Sequence, residues 1–129
     1  MDVFCDRCDA KLTRTPLSHA NLNSAGSGDS KELLSDGEYL LADEIDLMSS
    51  FIGMEPVLIT HYVSTTCLLL VDHHDGFRFQ GCCGPSRTDK YNQVCWKCKY
   101  QIGVMIADCM GEHFTAINME RLNTQPKWS

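Results

Sequence analysis

Two CxxC motifs constrain this chain more than any other feature of its sequence. They are Cys5-Asp6-Arg7-Cys8 and Cys95-Trp96-Lys97-Cys98, and 86 residues lie between them. One CxxC turn supplies two thiolates, and a structural Zn2+ ion takes four such ligands in a tetrahedron, so the two turns together complete one site. The sequence therefore predicts one Zn2+ ion that joins the start of the chain to its later half, held by Cys5, Cys8, Cys95 and Cys98.

The residues that flank the two motifs match each other. Each motif has an apolar residue directly before its first cysteine (Phe4 and Val94) and another four positions after its second (Leu12 and Ile102). Such flanks are expected to form the strands of a hairpin and to pack into a core. A site closed by four thiolates has no open coordination position, so the pattern predicts a structural site rather than a catalytic one.

Two other interpretations of the CxxC motifs stay open. One motif could be redox-active as in thioredoxin-like proteins, although those have a βαβ context and usually a Pro or Gly between the cysteines, which neither motif has. Alternatively, Cys82 or Cys83 could complete a compact site with Cys95 and Cys98, which would exclude the first motif. The side chains of Cys82 and Cys83 diverge because the two residues are adjacent, so they are not expected to bind the same ion.

The remaining cysteines and the histidines are further candidates. Cys67 lies in an apolar run and is expected to be a buried thiol. Cys109 and His113 have a spacing that a helix would bring together, and His73 and His74 could add ligands for a second metal ion. The simpler interpretation is a buried thiol at Cys109 and exposed histidines in a turn. One ion is therefore predicted, with a second as the alternative.

Composition narrows the class of protein. The 129 residues are 43% hydrophobic and 22% charged, which is typical of one globular domain, here over residues 1–129. The net charge of −6 disfavours non-specific binding to nucleic acid or to an anionic membrane. A local basic cluster surrounds the second motif and consists of Arg87, Lys90, Lys97 and Lys99.

Cysteine usage predicts a cytoplasmic location. Residues 1–4 leave no room for a secretory signal before the first cysteine, and eight cysteines without such a signal are typical of metal ligands and buried thiols rather than of disulfides. The longest apolar run, 67–71, is too short to span a bilayer, so no membrane contact is predicted.

Strand signals dominate the middle and the end of the chain. Residue types and alternation predict strands over 57–63, 65–72, 77–80, 100–106 and 113–119, with 65–72 buried on both faces. Residues 39–45 fit a strand or a helix. The polar segment 13–36 is predicted to be a flexible loop and 123–129 a loose tail. The fold class expected is mainly β, a small β-rich α+β domain with little helix.

Three stretches of the chain resemble the β-tent zinc folds: 5–12, 37–40 and 94–103. That group includes Yippee-like proteins, the thalidomide-binding domain of cereblon, Mss4-like proteins and the B-type methionine sulfoxide reductases. The resemblance implies a β-tent organised by a zinc-ribbon-type pair of knuckles. The stretch 81–85 is similar to one in bacterial proteins that carry a downstream CxxC or CxC. The tryptophan cage of cereblon has no counterpart here, because the only tryptophans are Trp96 and Trp128.

Three functions compete. The first is a zinc-stabilised module that binds a protein or small-molecule ligand and has no chemistry of its own. The second is a thiol-dependent redox enzyme, similar to the B-type methionine sulfoxide reductases, whose nucleophile would be a cysteine outside the zinc site. The third is a zinc-ribbon nucleic-acid binder that would use Trp96, Tyr100 and the basic cluster. The first is the prediction, for a monomer or a homodimer paired through exposed sheet edges.

Overall fold

A computed structural model describes residues 1–20, 32–45, 57–79, 90–107 and 113–125. The described residues form nine strands and two 3-10 helices, Gly76–Phe79 and Met119–Arg121, and include no α-helix. The fold is therefore mainly β, as predicted, and the expected helical component is not found in these ranges. The strands are β1 (Phe4–Cys5), β2 (Ser18–His19), β3 (Glu38–Leu41), β4 (His61–Val63), β5 (Leu70–Asp72), β6 (Gln93–Cys95), β7 (Gln101–Ile106), β8 (Phe114–Ile117) and β9 (Leu122–Asn123).

Seven of these strands form one sheet in the order β2-β3-β4-β8-β7-β6-β5. Neighbours are antiparallel except for β2 and β3, which are parallel. The strands β1 and β9 form a separate antiparallel pair in which Cys5 lies opposite Leu122. The N-terminal segment also contacts the residue that precedes β5, because the N–H of Leu69 donates to the carbonyl of Leu12 at 2.7 Å.

The central strands of the sheet are covered on both faces. One cluster of buried side chains surrounds the cysteines of the two CxxC motifs and includes Leu12, Val63 and Ile102, while a second includes Leu40 and Tyr62. All four residues of β8 are buried, and so are four of the six in β7. The sequences of these strands are almost continuous apolar runs because the side chains on each face pack against an apolar cluster.

Asn92 and Gly103 shape the junction of β6 and β7. The pairing register shifts between Gln93 and Val94, and the fully buried side chain of Asn92 bridges the irregularity: its Oδ1 accepts from the Met105 N–H at 2.7 Å, and its Nδ2 donates to the Met105 carbonyl at 3.2 Å. Gly103 lies where β7 and β8 approach closely, because a Cβ atom there would be 2.7 Å from the carbonyl oxygen of Ala116. Asn92 and Gly103 are thus needed for the pairing of β7 with its two neighbours, β6 and β8, next to the second CxxC motif.

Most predicted strands are found, with shorter bounds. Residues 100–106 and 113–119 contain β7 and β8, 57–63 contains β4, and 39–45 is a strand only at its start, in β3. The prediction of a strand over 77–80 is wrong for its described residues, which belong to a 3-10 helix. Asp75 explains that helix: its carboxylate accepts from the Phe77 N–H and its carbonyl accepts from the Arg78 N–H.

The prediction that 65–72 is a strand buried on both faces is also wrong. Only Leu70–Asp72 is a strand, and it lies at the edge of the sheet with Val71 exposed. The preceding residues form a turn that carboxylates hold, because Glu32 accepts from the Thr65 N–H and Asp36 accepts from the Thr66 hydroxyl. These acceptors lie some 30 residues earlier in the chain, so no local pattern revealed the turn.

The predicted loop 13–36 is structured at both of its described ends. Thr13 forms a bridge with Leu68, and Ser18–His19 forms β2. Leu17, Ala20, Leu33 and Leu34 are buried, so the apolar residues scattered through this polar segment belong to the core. Residues 21–31 lie outside the described part, as do 126–129 of the predicted tail, whereas Asn123 belongs to β9. Within the described ranges, no helix is long and apolar enough to cross a membrane.

Candidate metal centre

The structure brings the four predicted ligands together. The Sγ atoms of Cys5, Cys8, Cys95 and Cys98 all lie within 4.8 Å of one another. The Sγ of Cys5 is 3.6 Å from that of Cys98, and the Sγ of Cys8 is 3.6 Å from that of Cys95. These four cysteines are the one group of metal-binding side chains of this size among the described residues. The cluster can hold a metal ion.

The two CxxC turns have the same backbone geometry. In the first knuckle (residues 4–12), the Cys5 N–H donates to the Ala10 carbonyl and the Asp9 N–H donates to the Cys5 carbonyl, both at 2.9 Å. In the second knuckle (residues 94–102), the Cys95 N–H donates to Tyr100 at 2.9 Å and the Lys99 N–H donates to Cys95 at 3.0 Å. Each turn therefore closes a small hairpin. Both sulfurs of each hairpin lie in the same cluster.

The residue after the second cysteine of each knuckle has a left-handed backbone. Asp9 has a φ of 62° and Lys99 a φ of 64°, and no other described residue except glycine has a positive φ. This conformation costs an L-residue roughly 1 kcal/mol relative to glycine, because its Cβ approaches the following carbonyl. Two non-glycine residues adopt it at matching positions, as expected for a tight hairpin turn that ends on a left-handed residue.

Burial divides the four cysteines into two classes. Cys5 and Cys95 are fully buried, whereas Cys8 and Cys98 are partly exposed. Burial raises the pKa of the Cys5 thiol to about 12 and also raises that of Cys95. Burial opposes ionisation of Cys8 as well, but hydrogen bonds from the Ala10 N–H and from the neighbouring thiols outweigh it and lower the pKa of Cys8. A cation that binds Cys5 and Cys95 would therefore have to displace the protons that burial keeps on them.

The donor chemistry fits a tetrahedral ion. Sulfurs bound to zinc at about 2.3 Å in a regular tetrahedron lie about 3.8 Å apart. The two contacts of 3.6 Å agree with that spacing, and the 4.8 Å limit on the remaining pairs allows it with small adjustments. In addition, the Lys97 N–H donates to the Sγ of Cys95 at 3.4 Å, which stabilises negative charge on that sulfur. The residues present thus suit an S4 metal site.

A stack of arginines and tyrosines packs beside the sulfur cluster. The Arg121 guanidinium lies 4.5 Å from the ring centroid of Tyr91 and 5.3 Å from that of Tyr100, and Arg7 lies 6.0 Å from the centroid of Tyr100. Arg121 also donates to the Gln101 carbonyl at 2.9 Å. Arg7 belongs to the first knuckle and Tyr100 to the second, so the stack joins the two knuckles independently of any metal.

Replacement of Arg121 by alanine is expected to lower the free energy of unfolding by about 1–3 kcal/mol. Two cation–π contacts and one charged hydrogen bond are lost, each worth roughly 0.5–2 kcal/mol. Chemical denaturation followed by circular dichroism measures the change. The control is Arg14→Ala at an exposed position, expected to stay within about 0.5 kcal/mol of the wild type. Equal effects of the two substitutions would contradict this role of Arg121.

The other four cysteines lie away from the sulfur cluster or outside the described residues. Cys67 is buried, as expected, and burial raises the pKa of its thiol. It is not part of the sulfur cluster. Cys82, Cys83 and Cys109 lie outside the described residues, so both the compact site with Cys82 or Cys83 and the pairing of Cys109 with His113 stay predictions.

The histidines do not join the sulfur cluster. The rings of His73 and His74 stack at 4.3 Å after β5, and the Nδ1 of His73 accepts from the Asp75 N–H. His113 pairs with Glu32 in an isolated bridge, and its buried Nε2 has no hydrogen-bond partner among the described residues. None of the three is within ligand distance of a second group of described cysteines or carboxylates that could hold a metal ion.

The second knuckle presents an aromatic and basic surface. Trp96 is 45% exposed, and Lys97 and Lys99 are exposed beside it, with the Lys99 ammonium donating to the Trp96 carbonyl. Arg87 lies outside the described residues. Sequence reasoning selected these residues but missed Arg121 and Tyr91, for which the chain offers no local signal. It also missed the left-handed residues, which the equal offset from each CxxC could have revealed.

Comparison with known proteins gives no significant match to this chain, whether among family models, curated sequences or solved structures.

Proposed function

We propose that this chain is a zinc-stabilised binding module, in which one Zn2+ ion held by the four cysteines has a structural role. The observation that carries the proposal is the convergence of four thiols from two knuckles 86 residues apart into one cluster. Four cysteine ligands saturate a tetrahedral ion and leave no position for substrate or water, which is the pattern of structural rather than catalytic zinc. The ion would supply no reaction and would act by holding the two knuckles together.

Zinc is the ion proposed because of the donor set. Tetrahedral sites made only of thiolates select zinc or iron over hard cations such as magnesium or calcium, which prefer oxygen ligands. The cluster is packed among apolar side chains, including Leu12 and Ile102, so a bound ion would be shielded from water on its inner side. We include the resemblance to the β-tent folds in the proposal, and the meeting of two knuckles, one on β1 and the other between β6 and β7, supports it.

The surface beside Trp96 is the proposed binding region. A tryptophan that is nearly half exposed next to two lysines offers apolar area and polar contacts, the combination that is enriched at recognition sites. A protein or small-molecule ligand fits this surface better than nucleic acid does. One Zn2+ ion with four thiolates carries a net charge of −2, which offsets the nearby charges of Lys97 and Lys99 and lowers the attraction for phosphates.

Metal analysis tests the proposal. Protein purified from cells without added metal is expected to carry one zinc ion per chain in native mass spectrometry, and Cys95→Ser to carry none. Cys67→Ala is the matched control, because Cys67 is buried but lies outside the cluster, and it should retain one zinc. A chain without metal, a chain with iron in place of zinc, or a Cys95→Ser variant that retains its zinc would each contradict the proposal.

A further inference from the structure

The turn that follows β5 depends on a histidine nitrogen that carries no proton. The Nδ1 atom of His73 accepts a hydrogen bond from the Asp75 N–H at 3.0 Å. Because a backbone N–H can only donate, this bond forms only while Nδ1 is unprotonated and the imidazole is neutral. The backbone N–H of His73 donates to the Asn92 carbonyl at 2.9 Å, so the histidine is anchored next to β6 independently of the state of its ring.

Asp75 connects this turn to the 3-10 helix Gly76–Phe79. Its Oδ1 accepts from the Phe77 N–H at 3.1 Å, and its carbonyl accepts from the Arg78 N–H at 3.1 Å. Its Oδ2 also lies 3.5 Å from the Nε of Arg78. The helix therefore depends on the position of Asp75, and the bond to His73 is one of the contacts that fix this position.

Arg78 attaches this helix to the second knuckle. Its Nη1 donates to the Tyr91 carbonyl at 2.8 Å and to the Oε1 of Gln101 at 2.9 Å. Gln101 belongs to the second knuckle, and the arginine side chain is only 17% exposed. A series of contacts thus runs from the ring of His73 through Asp75 and Arg78 to β7.

We propose that His73 is a pH-sensitive switch: protonation of its ring opens the turn 73–75 and loosens the 3-10 helix that follows. A protonated ring has an N–H at both nitrogens, so Nδ1–H and the Asp75 N–H would be two donors facing each other at 3.0 Å. The bond is then lost, and Asp75 no longer holds the helix in place. The inference is independent of the proposed zinc ion, because no group in this series of contacts is a cysteine.

The groups around His73 favour opening in acid. The ring of His74 stacks on that of His73 at a centroid distance of 4.3 Å, so two protonated rings would repel each other. The described charged or titratable side chains near the ring are two cationic or protonatable groups and two carboxylates: His74, Arg78, Asp72 and Asp75. The described residues of β6, β7 and the segment before β6 that hydrogen-bond to residues 72–78 are uncharged: Tyr91, Asn92, Gln93 and Gln101.

The direction of the pH dependence follows from the environment of the ring. Burial lowers the pKa of His73, and Arg78 and His74 lower it further, whereas the smaller effect of Asp75 raises it. In the open turn the ring is in water and has its ordinary pKa of about 6.5. The open turn therefore binds the proton more tightly than the closed turn does. The closed turn has its full stability above about pH 6.5 and loses stability as the pH falls below that value.

Nuclear magnetic resonance of the 15N-labelled full chain tests the switch. Imidazole 15N shifts report the protonation of His73 Nδ1, and water-exchange spectra give the protection of the Asp75, Phe77 and Arg78 amides, normalised to their intrinsic exchange rates at each pH. Between pH 7.5 and pH 5.0 this protection is expected to fall about fivefold, the equivalent of one hydrogen bond. The amides of β7 should keep their protection, and the midpoint of the loss should coincide with the titration of Nδ1.

Two substitutions separate His73 from its neighbour. In His73→Asn, the amide oxygen takes the place of Nδ1 as the acceptor and does not titrate, so the protection should be the same at both pH values. His74→Asn is the matched control, which keeps the switch and should lose protection as the wild type does. Constant protection in the wild type, a midpoint that follows a different histidine, a parallel loss across β7, or a loss in His73→Asn equal to that of the wild type would each overturn the proposal.

Discussion

Removal of the proposed zinc ion is expected to unfold the protein and not merely to empty a site. The four cysteines are in contact with the larger apolar cluster, and Cys5 and Cys95 are themselves part of that core. Structural zinc contributes roughly 10–16 kcal/mol in small zinc domains, which is comparable to or larger than the roughly 5–15 kcal/mol by which a whole domain is stable. The reduced, zinc-free chain should therefore lose its cooperative thermal transition.

Cys95→Ser and a strong chelator with reductant provide two routes to that state. Serine is a poor zinc ligand and leaves a buried hydroxyl among apolar neighbours, so both the ion and part of the core packing are lost. Far-ultraviolet circular dichroism and thermal melting measure the effect. Cys67→Ala is the control, since it removes a buried sulfur outside the cluster and should cost only about 1–2 kcal/mol. Unchanged melting of the chelated, reduced protein would show that the sheet is stable without the ion.

Gly103→Ala is expected to cause the second-largest loss of stability, about 2–3 kcal/mol, because its methyl group has no room. The new Cβ would lie 2.7 Å from the carbonyl oxygen of Ala116 and 3.1 Å from Cγ2 of Ile117. The first atom belongs to the backbone of β8, so relief requires β7 and β8 to separate at the centre of the sheet.

Gly76→Ala is the matched control for this substitution. No atom lies within 4 Å of a Cβ built at Gly76, which is exposed and begins a 3-10 helix. Alanine there should leave stability unchanged or raise it by a few tenths of a kcal/mol, since it restricts the unfolded chain. Denaturant unfolding of both variants gives the comparison. Similar midpoints for Gly103→Ala and Gly76→Ala would contradict the close approach of β7 and β8.

Local sequence patterns predicted the central strands well. In residues 102–106 and 114–117 every residue except Gly103 has an apolar or β-branched side chain, and such runs favour strands. The wrong predictions, for 65–72 and for 13–36, share one cause: residues distant in the sequence determine the local structure. Asp36 and Glu32 hold the turn before β5, and pairing with β3 makes Ser18–His19 a strand although its residues are polar.

The metal centre shows the same division within a single site. The clustering of its four cysteines followed from the sequence alone, because the coordination number of a tetrahedral ion and the spacing of two CxxC turns involve no tertiary information. Arg121 did not follow, because its role depends on the rings of Tyr91 and Tyr100, which lie 30 and 21 residues earlier in the chain. A cation–π contact requires no fixed spacing of its residues along the sequence, whereas a metal-binding turn requires the CxxC spacing.

The sequence by itself thus determined that Cys5, Cys8, Cys95 and Cys98 belong together and that the chain is mainly β. Only the tertiary structure decided that Cys5 and Cys95 are buried, that Cys8 and Cys98 reach the surface, and that each outer sulfur contacts an inner sulfur of the other knuckle. The physical reason is that ligand identity is a property of short turns. The burial of each cysteine and the contacts between the sulfurs depend instead on how β1, β6 and the apolar cluster around them pack together.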